Sequence, residues 1–497
     1  MKIDVNGPAP DTRAADITRG SVILTAAAGM ECAIRFGQKM VLARLLVPHD
    51  FGLTAAVLAS VSLLEALADI GLRQAVIQSR RGATATFLNS VWLLSVTRGC
   101  ALFALAYLAA PVIADYVREP GAVGLFRLGF AGILISGMIS PRVFVLEKEM
   151  RFGTWTAIMQ SASVASAVAA VLLAWQLPSA VALVLAFVVE VVVRVVLSYL
   201  VCPFRPRIEF TAEVWRELYA FMRGMFGLPA LMMVCAQIDL YFLGRLVALP
   251  MLGCYALAKT LSEVPSFLTY KIINPVFLPS LARIKDDPIR LAGQINAATE
   301  ANALFVLPLA CGMALCAGPL LQLTYGAEYR IAAGAFAVLS VHAFVISCSS
   351  MLMTLFIAVG RPEIVRRAVL VRVLMLGLIM YPLIRFWTLA GAAAAIALSG
   401  VVILAIQLAV LHVMYSFPVT AYLRAWVPGL QMASLFVVLP WLASITWWGT
   451  SFTSLFITGA GVVLALGLAT VRLMLRSDVA ALLARFHWRG EIQPEAV

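Results

Sequence analysis

The chain has 497 residues, of which 62% are hydrophobic and only 12% are charged, and its mean hydropathy is +0.97. Soluble domains average about 45–50% apolar and about 25% charged residues, so the composition excludes a soluble protein and predicts a polytopic membrane protein. The net charge of +12 does not indicate a nucleic-acid partner, because no basic segment is interleaved with aromatic residues and basic loops on one membrane side account for it.

Apolar runs recur along the chain, each long enough to cross a bilayer, which takes roughly 20 residues. They predict an all-α polytopic membrane fold with about 14 transmembrane helices. The runs lie near residues 20–46, 51–70, 87–114, 122–146, 154–175, 179–202, 218–244, 250–279, 300–324, 331–359, 364–386, 389–414, 426–448 and 453–475.

The loops between these runs differ in charge. Both termini and every second loop are rich in Arg and Lys. The opposite side has little beyond five arginines, which are Arg44, Arg118, Arg245, Arg330 and Arg385. The positive-inside rule therefore predicts that both termini are cytoplasmic. The loops on the far side are all short, so they leave no room for a catalytic domain there.

A short motif recurs with an offset of 201 residues and suggests two similar halves. Arg44 matches Arg245 and Gly52 matches Gly253, each at the start of about six apolar runs. Six helices per half give both halves the same orientation, as in parallel-repeat transporters. The predicted organisation is a cytoplasmic tail (1–19), an N-lobe (20–202), a cytoplasmic linker (203–217), a C-lobe (218–414), two further helices (426–475) and a cytoplasmic amphipathic tail (476–497).

Ionisable residues inside the apolar runs are the candidate functional residues. Each costs roughly 2.5–3.5 kcal/mol at mid-depth on insertion scales, so it must face water or a partner. The candidates for a substrate-binding lumen are Arg35, Lys39, Arg98, Lys259 and Lys271. The candidates for binding a coupling ion are Glu65, Asp69, Asp239 and Glu263.

Structural interpretations of the same charges stay open at this point. The pairs that could simply neutralise each other are Glu190 with Arg194, Lys259 with Glu263, and Glu65 or Asp69 with Arg35 or Lys39. Arg44 and Arg245 of the repeated motif could extend to the outer interface without a further role.

The sign of the lumen candidates indicates the kind of substrate. A cationic cavity suits an anionic group such as a phosphate or diphosphate, because Arg offers paired hydrogen bonds and Lys a compact charge. The sequence has no GxxxxGK[ST] phosphate loop, so an ion gradient of H⁺ or Na⁺, the membrane potential or downhill flow must drive transport. No catalytic motif and no metal-spaced His/Cys cluster is present, so we expect no enzyme, metal or cofactor.

Several stretches resemble one family of membrane proteins. They are LARLLVPHDFGLTAAVLASVSLLEALADIGLRQAVIQ (42–78), QIDLYFLGRLVALPMLGCYALAKTLSEVP (237–265), FLPSLARIKDDPIRL (277–291) and AVGRPE (358–363). The chain resembles the polysaccharide transporters, or Wzx-type flippases, of the multidrug/oligosaccharidyl-lipid/polysaccharide (MOP) exporter superfamily. One departure is Gln237, where relatives often have Asn.

The resemblance implies a two-lobed, fourteen-helix protein of the inner membrane that works by alternating access. Its substrate would be an oligosaccharide linked to undecaprenyl diphosphate, made for exopolysaccharide, O-antigen or capsule. Helices thirteen and fourteen would form a groove for the lipid tail, as in the similar lipid II flippases. Partners would be membrane lipids and the polymerase and glycosyltransferases of the same pathway.

Two other functions stay open. A drug/cation antiporter of the same superfamily predicts about twelve helices and an acidic lumen, whereas the lumen candidates here are mainly basic. An integral-membrane polysaccharide polymerase or ligase needs a large outer loop with catalytic Arg or His residues, and the predicted outer loops are short.

Overall fold

The structure is a computed structural model that describes residues 29–475, except residues 31–32, 68, 70, 150, 210, 226–227, 271–287 and 449–450. Within these residues the chain forms helices and no strand, which confirms the predicted all-α fold. The two predicted cytoplasmic tails and Lys271 lie outside the described residues.

The described residues fall into two compact units, and each unit is assembled from separate stretches of chain. The first unit comprises Met1–Leu261, Leu321–Ala335 and Glu363–Ser399. The second comprises Ser262–Leu320, Phe336–Pro362 and Gly400–Val497. The division into an N-lobe and a C-lobe at residues 203–217 stays a prediction.

The first unit contains the helices up to residue 261. They are α1 (33–45), α2 (Pro48–Leu67), α3 (Leu72–Gln78), α4 (Ala85–Tyr116), α5 (Val123–Ser136), α6 (Arg142–Lys148), α7 (Phe152–Gln176), α8 (Ala180–Val201), α9 (Ala212–Met225), α10 (Leu228–Leu246) and α11 (Leu249–Ser262). In this unit α2 packs against α5, α8 and α10, and α8 packs against α5 and α7. These contacts bring α2, α5, α7, α8 and α10 into one bundle, which carries several of the candidate residues.

The remaining helices lie wholly or partly in the second unit, and their residues 321–324, 333–335 and 363–399 belong to the first unit. They are α12 (Val264–Leu268), α13 (Pro288–Leu315), α14 (Ala317–Thr324), α15 (Ala333–Ala358), α16 (Pro362–Tyr415), α17 (Val419–Arg424), α18 (Val427–Ala433), α19 (Leu439–Trp448) and α20 (Ser451–Leu475). Helices α18 and α20 pack on α13. An ion pair supports this packing, because Arg472 Nη2 lies 3.4 Å from Glu300 Oε1.

Ten helical segments of the described residues are long and apolar enough to cross a membrane. The chain is therefore a multi-pass membrane protein, as its composition predicts. The predicted number of fourteen helices is not confirmed.

The predicted break between residues 386 and 389 is present, because the long α16 is interrupted by non-helical backbone at Trp387 and Thr388. Thr388 has φ 47°, a strained value for a β-branched residue, and it joins two helices.

Helix α9 is a difference from the sequence prediction, which has one span over residues 218–244. The structure has two helices here, and the membrane-spanning one, α10, begins at Leu228. Val214 and Leu218 of α9 are buried against residues of α3 and α4. On its charged face, Glu213 pairs with Arg81 at 3.0 Å. Helix α9 is amphipathic because its apolar residues recur at helical spacing, and it packs along the bundle through that face.

The repeated motif has a counterpart in the helix boundaries of the first unit. Helix α1 ends at residue 45 and α10 ends at Leu246, while α2 begins at Pro48 and α11 at Leu249. Both pairs of boundaries differ by the 201 residues that separate the two copies of the motif. The two copies therefore form the same helix–turn–helix element.

Candidate functional site

A cluster of charged side chains lies where α1 meets α8 in the first unit. Arg35 Nη2 of α1 donates to Glu190 Oε1 of α8 at 3.1 Å. Arg194, one turn further along α8, donates to the same oxygen at 2.6 Å. The Glu190 side chain is largely buried at 12% exposed, whereas Arg35 is 47% and Arg194 32% exposed. One carboxylate thus holds two guanidinium groups, and both retain accessible surface.

Two further charges extend this cluster toward α2 and α4. The Glu65 carboxylate of α2 accepts a hydrogen bond from Ser136 Oγ at 2.9 Å. The charges of Arg98 on α4, Arg194 on α8 and Asp69 all act on Glu65. Glu65 is therefore near both basic residues, which relates Arg98 to the Arg35, Glu190 and Arg194 group.

Lys39 lies one helical turn beyond Arg35 on α1 and contacts a different helix. Its Nζ donates to Thr260 Oγ1 of α11 at 2.9 Å. Arg35 and Lys39 are spaced by four residues and so share one face of α1. We call Arg35, Lys39, Glu65, Arg98, Glu190 and Arg194 the charged cluster. It holds four cationic and two anionic side chains, so it carries a net positive charge that favours an anionic ligand.

A second charged group lies between α10 and α11, also in the first unit. Asp239 is fully buried, and both of its carboxylate oxygens lie 2.8 Å from Lys259 Nζ. Tyr255 Oη donates to the same carboxylate at 2.8 Å, and its side chain is fully buried. The partner of Lys259 in this group is therefore a residue of α10, 20 positions away, whereas the sequence spacing indicates Glu263.

The two other acidic candidates lie beyond the ends of helices. Asp69 lies beyond the end of α2, and its Oδ1 accepts the backbone N–H of Gly71 at 3.0 Å. The predicted apolar run over residues 51–70 includes Asp69, whereas α2 ends at Leu67. Glu263 is exposed and precedes α12, so it does not continue α11.

The glycines of the repeated motif meet each other at the starts of α2 and α11. A Cβ atom added to Gly52 would lie less than 3.0 Å from the carbonyl oxygen of Leu249, and one added to Gly253 would lie as close to that of Pro48. Pro48 and Leu249 are themselves equivalent positions of the repeat. The contact is therefore reciprocal, and only residues without a Cβ allow the two backbones to approach so closely.

The arginines of the motif also make equivalent contacts, each with the end of another helix. Arg44 Nη2 donates to the carbonyl oxygen of Leu323 near the end of α14 at 2.8 Å. Arg245 Nη1 donates to the carbonyl oxygen of Tyr116 at the end of α4 at 3.4 Å and lies over the Tyr116 ring. Cations stabilise the unpaired carbonyl groups at a helix C-terminus.

We expect Arg44→Ala and Arg245→Ala to have mild effects. Both hydrogen bonds are exposed, so each loss should cost about 0.5–1.5 kcal/mol of stability. Export activity measured beside protein level in membranes should fall by less than half. Complete loss of export in both variants at normal protein level would show that the motif takes a direct part in transport.

The sequence identifies several charged residues of this site, but it does not identify the residues that they contact. Arg35, Lys39, Arg98 and Glu65 are candidates from sequence, and the structure places all four in the charged cluster. Glu190 and Arg194 were interpreted only as a neutralising pair. Their spacing of four residues within an apolar helix was the available signal, but no spacing rule indicates that Glu190 also binds a residue 155 positions away.

A family model described as polysaccharide biosynthesis protein matches residues 41–333, more than half of the chain. The chain belongs to this polysaccharide biosynthesis family. The match covers α2 to α14, and with them Glu65, Arg98, Glu190 and Arg194 of the charged cluster and the pair of Asp239 and Lys259. It confirms the resemblance to polysaccharide transporters that the sequence motifs indicate.

Two named proteins of lipopolysaccharide and succinoglycan biosynthesis are similar to the chain at low sequence identity. The lipopolysaccharide biosynthesis protein WzxC of Escherichia coli (strain K12) is 24% identical over 296 residues, 59% of this chain and 60% of that protein. The succinoglycan biosynthesis transport protein ExoT of Rhizobium meliloti (strain 1021) is 24% identical over 305 residues, 60% of each. The matched region thus spans about three fifths of the length of these relatives.

Solved structures of two kinds of transporter share the fold. The lipid II flippase MurJ, in an inward closed conformation, aligns with a TM-score of 0.73 over 94% of this chain and 100% of that one, at 13% identity. An inward-facing multidrug resistance MATE transporter of the MOP superfamily aligns with a TM-score of 0.61 over 80% and 98%, at 14% identity. The chain therefore has the MOP-type fold that the sequence predicts.

Proposed function

We propose that this protein is a flippase, and not an enzyme, that moves a lipid-linked oligosaccharide across the membrane. The substrate is a repeat unit on undecaprenyl diphosphate, which serves the synthesis of an exopolysaccharide, O-antigen or capsule. The charged cluster is the observation that carries this proposal. Arg98 and Arg194 lie within membrane-spanning helices, where a cationic side chain is costly unless it serves a ligand or a partner, and Arg35 and Lys39 add two more positive charges to the same cluster.

The geometry of the cluster suits a diphosphate group. Arg35 and Arg194 both donate to the single carboxylate of Glu190, and the buried Nε of Arg194 has no hydrogen-bond partner among the described residues, so Arg194 retains a donor for another acceptor. Two phosphate groups offer several oxygens at the spacing of adjacent guanidinium groups, and Arg binds such oxygens in pairs. Lys39 adds a point charge one turn away. Lys271, a basic candidate from sequence, is also proposed to bind the substrate.

The membrane arrangement is part of the proposal. The protein lies in the inner, cytoplasmic membrane with both termini in the cytoplasm, in keeping with the distribution of basic residues between loops. The N-lobe and the C-lobe open the cavity alternately to the two sides of the membrane, as in other transporters built from repeats, and the last two helices form a groove for the lipid tail. The glycosyltransferases that build the repeat unit and the polymerase that joins the units are its partners in the pathway.

Deletion of the gene tests the function. Lipid-linked oligosaccharides extracted from the deletion strain should accumulate as complete single repeat units, and these should face the cytoplasm. Single repeat units that already face the outer side would mean that polymerisation has been lost instead. An unchanged pool of lipid-linked units together with increased drug sensitivity would support a drug antiporter.

A further inference from the structure

In the ion pair of Asp239 and Lys259, the lysine ammonium has as many oxygen acceptors as it has N–H donors. The ammonium group of Lys259 has three N–H donors, and three oxygens lie within hydrogen-bonding distance of it. They are both carboxylate oxygens of Asp239 at 2.8 Å and the carbonyl oxygen of Ala236 at 2.6 Å. The ammonium is thus bound as a small cation is bound, by a carboxylate and a backbone carbonyl.

The surroundings of the pair also resemble those of a cation site. Asp239 is fully buried in α10, where an uncompensated carboxylate would be strongly disfavoured. Tyr255 donates its hydroxyl proton to Asp239 Oδ2, which orients the carboxylate. Only a positive charge at the position of Lys259 Nζ balances this arrangement.

We propose that Lys259 is a tethered cation that fills the ion site of Asp239. The sequence makes Asp239 a candidate for a coupling ion such as Na⁺. In the structure the ammonium of Lys259 occupies the position of such an ion, because an ion bound by Asp239 would contact the same carboxylate oxygens. For transport, which rests on the function proposed above, the consequence is that no coupling ion binds at Asp239 while Lys259 is present.

Removal of the tether tests this proposal directly. In Lys259→Ala the carboxylate of Asp239, the carbonyl of Ala236 and the hydroxyl of Tyr255 would surround a space open to a small monovalent cation. Purified wild-type protein should unfold at the same temperature in NaCl and in choline chloride of equal ionic strength. In choline chloride the variant should unfold at a clearly lower temperature than the wild-type protein. NaCl should raise the unfolding temperature of the variant by several degrees, because Na⁺ binds only the folded state.

Two controls separate the site from general salt effects. The double variant Asp239→Asn/Lys259→Ala has no carboxylate, so its unfolding temperature should not depend on the cation. Lys148→Ala removes a lysine whose Nζ donates to the carbonyl oxygen of Ser79 and not to a carboxylate, and it should not respond to Na⁺ either. These readouts do not require transport, so they hold or fail independently of the flippase function.

Each alternative result decides the question. A folded Lys259→Ala protein that does not respond to Na⁺ would overturn the proposal. So would stabilisation of the wild-type protein by Na⁺ that disappears in Asp239→Asn, because the site would then bind an ion despite Lys259. If Lys259→Ala can be purified only in NaCl, the proposal is supported. If it fails to fold equally in NaCl and in choline chloride, the proposal is wrong.

Discussion

Gly52→Ala and Gly253→Ala are each expected to abolish export, and they are expected to lower the amount of folded protein. In both variants the new Cβ atom would overlap a backbone carbonyl of the facing helix, Leu249 for Gly52 and Pro48 for Gly253. A backbone atom at the start of a helix cannot move aside as a flexible side chain can. Forced overpacking of this kind costs about 1–3 kcal/mol or more, so α2 and α11 must separate.

The measurement is the yield of monodisperse protein after detergent extraction, together with polysaccharide export from complemented cells. Gly124→Ala is the matched control, because a Cβ atom there meets nothing within 4 Å. The control should export normally. Normal yield and normal export in both Gly52→Ala and Gly253→Ala would contradict the close contact between the two copies of the motif.

Arg35→Ala and Arg194→Ala are expected to reduce export roughly ten- to hundredfold while the protein level stays normal, because each removes charge-assisted hydrogen bonds to a diphosphate. Arg35→Lys should recover part of the activity, since it retains the charge but loses the paired donors. We expect the same loss of export from Lys271→Ala. Export is measured as polysaccharide per cell, normalised to the membrane content of the variant.

Arg81→Ala is the control for the loss of a positive charge. Arg81 pairs with Glu213 at 3.0 Å, and both side chains are more than half exposed, so the pair should contribute less than about 1 kcal/mol. Export from this variant should be normal. If Arg35→Ala and Arg194→Ala export as well as Arg81→Ala does, the charged cluster is not the binding site for the substrate.

The sequence predicts the class of fold well because apolar runs, basic loops and a repeat each have a direct physical cause. The bilayer requires long apolar helices, and the repeat offset of 201 residues reappears in the boundaries of α1, α2, α10 and α11. Even the break within α16 is predicted at its observed place, Trp387 and Thr388. These features depend on local sequence alone.

The pairing of charges could not be predicted in the same way. Helical spacing indicates partners three or four residues apart, and Glu190 with Arg194 is such a pair. Asp239 has no ionisable partner at that spacing, and its partner Lys259 lies 20 residues away on α11. The packing of helices determines partners of this kind. The spacing of residues within one helix gives no information about that packing.

The boundaries of short helices were a second source of error, and their cause is also tertiary. The predicted span over residues 218–244 includes part of α9, because both α9 and α10 are apolar on at least one face. Val214 and Leu218 of α9 pack against α3 and α4, and local sequence does not indicate this contact. Asp69 was placed on α2 for a similar reason, although the turn at Gly71, with φ 72°, follows the end of that helix.

Translocation in reconstituted vesicles tests the central claim most directly. Purified protein is placed in vesicles that carry, in the inner leaflet, an oligosaccharide linked to undecaprenyl diphosphate with a fluorescent label on the sugar. A membrane-impermeant quencher added outside reports the label that reaches the outer leaflet. We expect quenching to rise with time in vesicles containing the wild-type protein, and much more slowly with Arg35→Ala. Quenching no faster than in protein-free vesicles would contradict the proposed flippase function.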